Sequence, residues 1–290
     1  MEDERDEGNL KFLERWNTKK YLKVLMIDYY SVTLMDDKNL LVANIGWSFK
    51  GWRGFDEEMF NRKKLYKFDY ITNTGFGHEV WNFYDGFGKN VYFGHIESSL
   101  QKFTSGVVLF VSKYIDPQDP SPKRSRFYFI GVYGNAIYEP QGFHTGTKVI
   151  DLLPEYAIEN IKDIVNTENW KGNNAEKHVR YLNDILNGKE YIASLVASKK
   201  YSTVFLPIRY NGYVELEPED IGVKDFKEWK ITYKITPEKA TRLLDIAIIR
   251  HERVIKDEIG VISPQPIKEK AIEIVSKLKK VKNIVESNTL

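Results

Sequence analysis

The sequence predicts an α+β fold, in which a small sheet or barrel of short strands precedes a part richer in helices. The first 150 residues contain β-branched and aromatic runs separated by Gly, Asn, Asp and Pro clusters, which is the pattern of short strands. Beyond residue 154 the apolar residues recur at helical spacing. The length of 290 residues is ample for a buried core.

The first part is predicted to open with a buried strand over Leu40–Ile45, which stops at Gly46. A helix is expected over 55–65, because its acidic residues lie at the N-terminal end and its basic residues at the C-terminal end. The Pro-rich segment 116–122 must be a loop, since its prolines are incompatible with a ladder or a helix. Further strands are expected at 91–94, 107–111 and 127–133.

The second part is predicted to alternate between helices and strands. Helices are expected within 154–187, and the second of them ends at Asn187 and Gly188. Strand runs return between 191 and 235. A further helix begins after Thr236 as N-cap, with Pro237 at its first position, and extends to about residue 258.

A heptad seam marks the last segment, where apolar residues are spaced alternately by four and three. The helix is either docked on the body or a linker to a partner or further domain. The predicted organisation is a disordered acidic tail at 1–9, a PUA-like aromatic-cage domain at 10–150, a second α+β part at 151–260 and this amphipathic helix at 266–286. The seam residues are Ile267, Ala271, Ile274, Leu278, Val281 and Val285.

Composition excludes several classes of protein. The chain has no Cys, so disulfides, Cys-zinc sites and thiol catalysis are excluded. No apolar run approaches the roughly 20 residues that a membrane helix needs, and the acidic N-terminus does not resemble a signal peptide, so a cytoplasmic location without membrane partners is expected. A net charge of +2 is too small for a non-specific polyanion binder.

Sequence motifs give no convincing catalytic constellation, metal site or cofactor site, so no enzymatic activity and no cofactor are predicted. The segment 142–148 lacks the order of a phosphate-binding loop. Asp225 with Glu228 and Lys230 has nuclease-like spacing, but that spacing arises by chance in a chain this charged.

Aromatic residues are concentrated between 44 and 145, where there are 24, nearly one in four. Most are expected to fill the core. Trp47 and Trp52 are the exceptions, because they follow the end of a strand among glycines, where a ring is well placed to line a pocket. Aromatic faces bind a nucleobase by stacking, worth about 1–3 kcal/mol per base, and need no dense field of positive charge.

The order of Trp47-Ser48 after a strand, followed by a helix, resembles the YTH/EVE group of PUA-like domains. The runs 106–112 and 129–134 are similar to paired strands of that group, and the resemblance covers residues 38–145. The Pro-rich loop at 116–122 departs from the compact pattern of the group. The resemblance implies a PUA-like small β-barrel with flanking helices, followed by a second α/β part and a C-terminal helix.

Members of this group take a modified base into an aromatic cage, so the resemblance implies a reader of methylated bases. Trp47 corresponds to the first cage wall and Tyr114, after the 107–112 strand, to a further wall, while Trp52 and Trp81 are alternatives for another. Hydrogen bonds to the edge of a flipped base would come from Asn44, Ser48 and Asn82. The candidate phosphate contacts are Arg53, Lys123, Arg124 and Arg126.

The segment 231–251 resembles the strand and helix that follow such modules in modification-dependent restriction proteins of the McrB type. The expected partner is therefore modified duplex DNA, with a GTPase motor or nuclease subunit as a second partner. Two alternatives remain open: a DNA-acting nuclease or base-excising glycosylase, and an RNA-binding PUA-like module.

Overall fold

A computed structural model describes residues 39–87, 90–97, 103–118, 125–226, 231–260 and 262–287. Contacts divide the chain into a unit at 1–37 and a unit at 38–290, and all described residues belong to the second. The predicted acidic tail lies outside the described residues.

The strands form one mixed, eight-stranded sheet, with β2-β5-β4-β3-β1-β8 as its path and with β6 and β7 also pairing with β4. The predicted α+β class is confirmed. Strands from both predicted domains pair in this sheet, because β5, β6 and β7 all bind β4. The strands are β1 Asn39–Ile45, β2 Val91–Gly94, β3 Ser105–Lys113, β4 Phe127–Lys148, β5 Glu190–Ser198, β6 Ser202–Val204, β7 Val214–Leu216 and β8 Thr232–Lys234.

The sheet is open: within the described ranges, β2 and β8 form its two edges and do not pair with each other. The resemblance implied a small closed barrel, and closure is not observed. The long strand β4 accounts for the breadth of the sheet. It holds β3 on one side, and on the other side β7, β6 and β5 follow along its length.

The central pair β1 and β3 is parallel, and Ile45 is in register with Ser112. Both strands are made of β-branched and large apolar residues that are almost entirely buried, as expected for strands covered on both faces. Because the strands run in the same direction, the segments that follow them emerge at the same edge of the sheet.

Six α-helices are described, and two of them begin with a side-chain cap. Thr236 accepts a hydrogen bond from the N–H of Lys239, as its predicted N-cap role requires. Asp56 caps α1 in the same way, through the N–H of Met59. The helices are α1 Glu57–Asn61, α2 Asp69–Thr74, α3 Glu155–Thr167, α4 Ala175–Leu186, α5 Pro237–Ile255 and α6 Gln265–Glu286.

The heptad helix α6 packs against α5 and the short strand β6. Five of the six predicted seam residues are buried, and only Ile267 keeps partial exposure. Of the two interpretations of this segment, the structure therefore has the docked helix. Among the described residues, no helix is both long enough and apolar enough to cross a membrane.

Candidate functional site

A cavity of about 330 Å³ opens at the edge of the sheet where β1 and β3 end. Asn44 to Trp47 line it from the end of β1, and Lys113 to Asp116 line it from the end of β3. The opposite wall comes from 65–68 and from Tyr70 and Ile71 of α2. Gly77, Glu79, Glu97 and Ile231 complete the lining.

Trp47 is a buried wall of this cavity. It is only 5% exposed, and its ring meets the ring of Tyr114 edge to face, with centroids 4.9 Å apart at an interplanar angle of 89°. The hydroxyl of Tyr66 donates to its carbonyl oxygen at 2.8 Å. Among the described residues, the buried indole Nε1 of Trp47 has no hydrogen-bond partner. Trp47 is therefore a ring that the protein holds in place, with a buried indole N–H that lacks a partner among the described residues.

Tyr114 forms a second, half-buried wall directly after β3. Its N–H donates to the carbonyl oxygen of Arg126 at 2.8 Å. The guanidinium of Arg126 lies 4.8 Å from the Tyr114 ring centroid and 3.7 Å from a carboxylate oxygen of Asp116. This places Arg126, a predicted phosphate contact, behind a wall of the cavity.

The turn from Gly46 to Asp56 fixes the position of Trp47. The buried Asp56 carboxylate accepts hydrogen bonds from the Ser48 hydroxyl at 2.7 Å and from the N–H of Lys50 at 2.9 Å. The Ser48 hydroxyl in turn accepts from the N–H of Trp52 at 3.1 Å. The Ser48 hydroxyl is thus hydrogen-bonded within the protein, and Ser48 does not line the cavity.

Trp52 lies behind Trp47 rather than in the cavity lining. It is fully buried, its indole N–H donates to the carbonyl oxygen of Gly46 at 2.8 Å, and its ring centroid is 5.8 Å from that of Trp47. Its φ of 57° is strained for a bulky residue, and the surrounding contacts hold it there. Trp52 therefore supports the first wall of the cavity.

Trp81 and Asn82 lie in the core, also outside the cavity lining. Trp81 packs against Tyr191 and Phe76. The side-chain amide of Asn82 donates to the carbonyl oxygen of His95 at 3.2 Å and accepts from the N–H of His95 at 2.8 Å. These bonds tie the segment after Trp81 to the end of β2, and they leave little of the Asn82 amide for a ligand.

The other predicted contacts are spread around the molecule. Asn44 is half-buried and lines the cavity, and its contact with a base edge stays a prediction. Arg53 is exposed and does not line the cavity. Lys123 and Arg124 lie outside the described residues.

The sequence analysis did not identify several lining residues, among them Tyr66, Tyr70, Glu79 and Glu97. Tyr66, in the segment before α2, and Tyr70, within α2, add aromatic rings to the lining. The Tyr70 hydroxyl is buried and has no partner among the described residues. The only sequence signal for Glu79 was an acidic residue within the glycine- and aromatic-rich run 75–87.

Glu79 provides an acidic group in the cavity lining. Its Oε2 accepts the N–H of Gly46 at 2.6 Å. Burial, reinforced by the nearby Glu97, raises the pKa of Glu79 to about 8, although the bond from Gly46 acts in the opposite direction. Glu79 is therefore mostly a neutral acid at pH 7, able both to donate and to accept a hydrogen bond.

Two buried histidines lie behind this wall. Burial lowers the pKa of His78 to about 3 and that of His95 to about 4, so both are neutral at pH 7. The ring of His78 stacks on Tyr70, with centroids 5.9 Å apart. In the described part of the chain, no group of three or more His, Asp or Glu residues is arranged to hold a metal ion.

Comparisons with protein-family models, curated proteins and solved structures find no match. The chemistry of the cavity is therefore interpreted from its own geometry.

Proposed function

We propose that this protein binds nucleic acid by taking one flipped, modified base into the cavity that Trp47 and Tyr114 line. The observation that carries the proposal is the arrangement of these two rings at the common edge of a parallel strand pair. Because the two rings touch edge to face, a base does not enter between them; a base that stacks on the half-buried Tyr114 ring has the Trp47 ring beside it. Ligands of open α/β sheets commonly bind at the carboxyl ends of parallel strands.

The size of the cavity supports a small planar ligand. Its volume of about 330 Å³ is at the lower end of the 300–1,000 Å³ range of small-molecule sites. Aromatic walls and a few polar groups are the usual composition of such sites, and here Asn44 and Glu79 supply polar groups. A methyl group on the base would add apolar contact with the rings without adding charge.

Basic residues near the cavity support a nucleic acid as the carrier of the base. Lys67 and Lys113 line the cavity, and Arg126 lies over Tyr114. A non-specific binder has many more Lys and Arg residues on its binding surface than these three. Their small number agrees with the net charge of +2. The affinity then depends on the base in the cavity, with phosphate contacts adding to it.

The relationship to YTH/EVE-type PUA-like readers and the place in a modification-dependent restriction system are parts of the same proposal. The support comes from Trp47, two residues after β1, from Tyr114, directly after β3, and from the cavity that both residues line. We propose modified duplex DNA as the ligand and a motor or nuclease subunit as the further partner.

The test is the affinity for duplexes that differ only in one N6-methyladenine, 5-methylcytosine or N4-methylcytosine. We expect a modified duplex to bind more tightly than the unmodified one. In Tyr114→Ala the affinity for it should fall by about 5- to 150-fold, since one stacking contact is worth about 1–3 kcal/mol. The matched control is Tyr210→Ala, because Tyr210 is also half-buried beneath an arginine, Arg209, at 5.0 Å from its ring centroid.

Equal affinity for all duplexes, or equal effects of the two tyrosine substitutions, would contradict the proposal. Tighter binding of modified single-stranded RNA would instead favour the RNA-binding alternative. Strand cleavage or abasic sites in the same mixtures, with and without Mg²⁺, would favour the nuclease or glycosylase.

A further inference from the structure

Glu79 has one oxygen bound by the protein and one left for a ligand. The N–H of Gly46 donates to Oε2. Among the described residues, Oε1 has no hydrogen-bond partner, although the side chain lines the cavity. The carbonyl oxygen is the better acceptor of a neutral carboxylic acid, so the bond from Gly46 favours the proton on Oε1.

The groups around Glu79 favour this neutral form. Glu97 is an acidic neighbour whose charge disfavours a negative charge on Glu79. Tyr191 is also a neighbour, because the charge of Glu79 contributes to raising the pKa of the Tyr191 hydroxyl. His78 and His95 are neutral because burial lowers the pKa of each. The remaining charged or titratable groups of the cavity are Tyr66, Lys67, Tyr70, Lys113, Tyr114 and Asp116.

Gly46 keeps Glu79 close to the backbone that leads into Trp47. A Cβ on Gly46 would lie 3.2 Å from Oε2 of Glu79 and 3.5 Å from Ile71, so a larger residue there would crowd the Glu79 carboxyl group. The carboxyl group and the first aromatic wall are thus held by consecutive residues, Gly46 and Trp47. A ligand that stacks on the cavity rings is within reach of the same acid.

The hydrogen-bonding pattern of a neutral acid selects among base edges. Its Oε1 hydroxyl is a donor, and Oε2, which accepts from Gly46, keeps a second lone pair as an acceptor. Together they complement a ring nitrogen beside an amino N–H, as in adenine and cytosine. Guanine presents two N–H donors along its edge and would pair with an ionised carboxylate instead. Adenine and cytosine retain this edge when a single methyl group is added to the amino group or the ring carbon.

We propose that Glu79 reads the hydrogen-bonding edge of the bound base as a neutral acid, with its Oε1 hydroxyl donating to a ring nitrogen. This inference rests on the proposed function. It adds a specificity-determining residue and a direction of pH dependence. Above pH 8 the acid loses its proton, the donor is lost, and the base should bind less tightly.

The experiment measures the affinity for the preferred modified duplex at pH 7 and pH 9. For the wild type we expect about a tenfold loss at pH 9, as the neutral fraction falls tenfold over that interval for a pKa near 8. Glu79→Gln keeps a donor and an acceptor without titrating, so it should bind within about threefold of the wild type at pH 7 and show no such loss at pH 9. Glu79→Leu should bind weakly at both pH values.

The outcomes separate this inference from the proposed function. A purely structural Glu79 would leave the wild type and Glu79→Gln with the same pH profile, and that result would overturn the inference. If Tyr114→Ala still weakens binding in that case, the proposed function stands without it. If Tyr114→Ala binds as tightly as the wild type, the proposed function fails, whatever Glu79 does.

Discussion

At the scale of single residues, two neighbours in the sequence can have different roles in the site. Trp47 and Ser48 are adjacent, yet Trp47 lines the cavity while Ser48 faces inward to Asp56. The hydrogen bonds of Ser48 to Asp56 and from the Trp52 N–H turn its side chain away from the cavity that Trp47 lines. The hydrogen bonds of Ser48 stabilise the turn from Gly46 to Asp56, and this turn positions the Trp47 ring.

Ser48→Ala tests this structural role. The substitution removes a buried hydrogen bond to Asp56 and an acceptor for the Trp52 N–H, so we expect the free energy of unfolding to fall by about 1–3 kcal/mol in urea denaturation. Ser125→Ala, at an exposed serine, is the control and should be nearly neutral. Unchanged stability combined with lost base affinity would instead favour the predicted contact of Ser48 with a base edge.

At the scale of elements, the heptad pattern of α6 identifies the buried face of a docked helix. Its seam residues Ala271, Ile274 and Leu278 are fully buried, and α5 and β6 cover them. Ion pairs flank the contact between the helices, for example Lys282 with Asp245 at 2.7 Å. The helix is therefore packed on the rest of the described structure. None of its residues lines the cavity.

Leu278→Ala should destabilise the protein by about 2–5 kcal/mol, because it opens a cavity in the contact between α5 and α6. The control is Ile272→Ala on the same helix, where the side chain is 54% exposed. Thermal unfolding of both variants is the measurement. Equal, small effects would show that α6 is not docked in solution.

At the scale of the whole molecule, the sequence predicted the class and most strand positions, because apolar runs and turn residues are local signals. It did not predict the length of β4, since Pro140 and Gly142 are typical turn residues. The strand continues past them because β5 pairs with it through irregular register shifts. Closure of the sheet likewise depends on long-range pairing that local signals do not encode.

For the site, too, the sequence predicted what local signals encode and missed what depends on long-range packing. Trp47 and Tyr114 were predictable because each follows a strand, and the parallel pairing of β1 with β3 brings the two together. Tyr70 and Glu79 come from a short helix and an adjoining 3-10 turn, and only the tertiary packing brings them to the cavity. Trp52 and Trp81 are aromatic like the wall residues, but they lie in the core.

The central claim is that a base enters the cavity beside Trp47, and the indole N–H resonances of the intact protein test it most directly. The chain has six Trp, so the spectrum is small, and Trp47→Phe identifies the Trp47 signal. On titration with a modified duplex, this signal should shift strongly, while that of Trp170, which stacks on His178 with centroids 4.4 Å apart, should not. Saturable binding that leaves the Trp47 signal unmoved would contradict the claim.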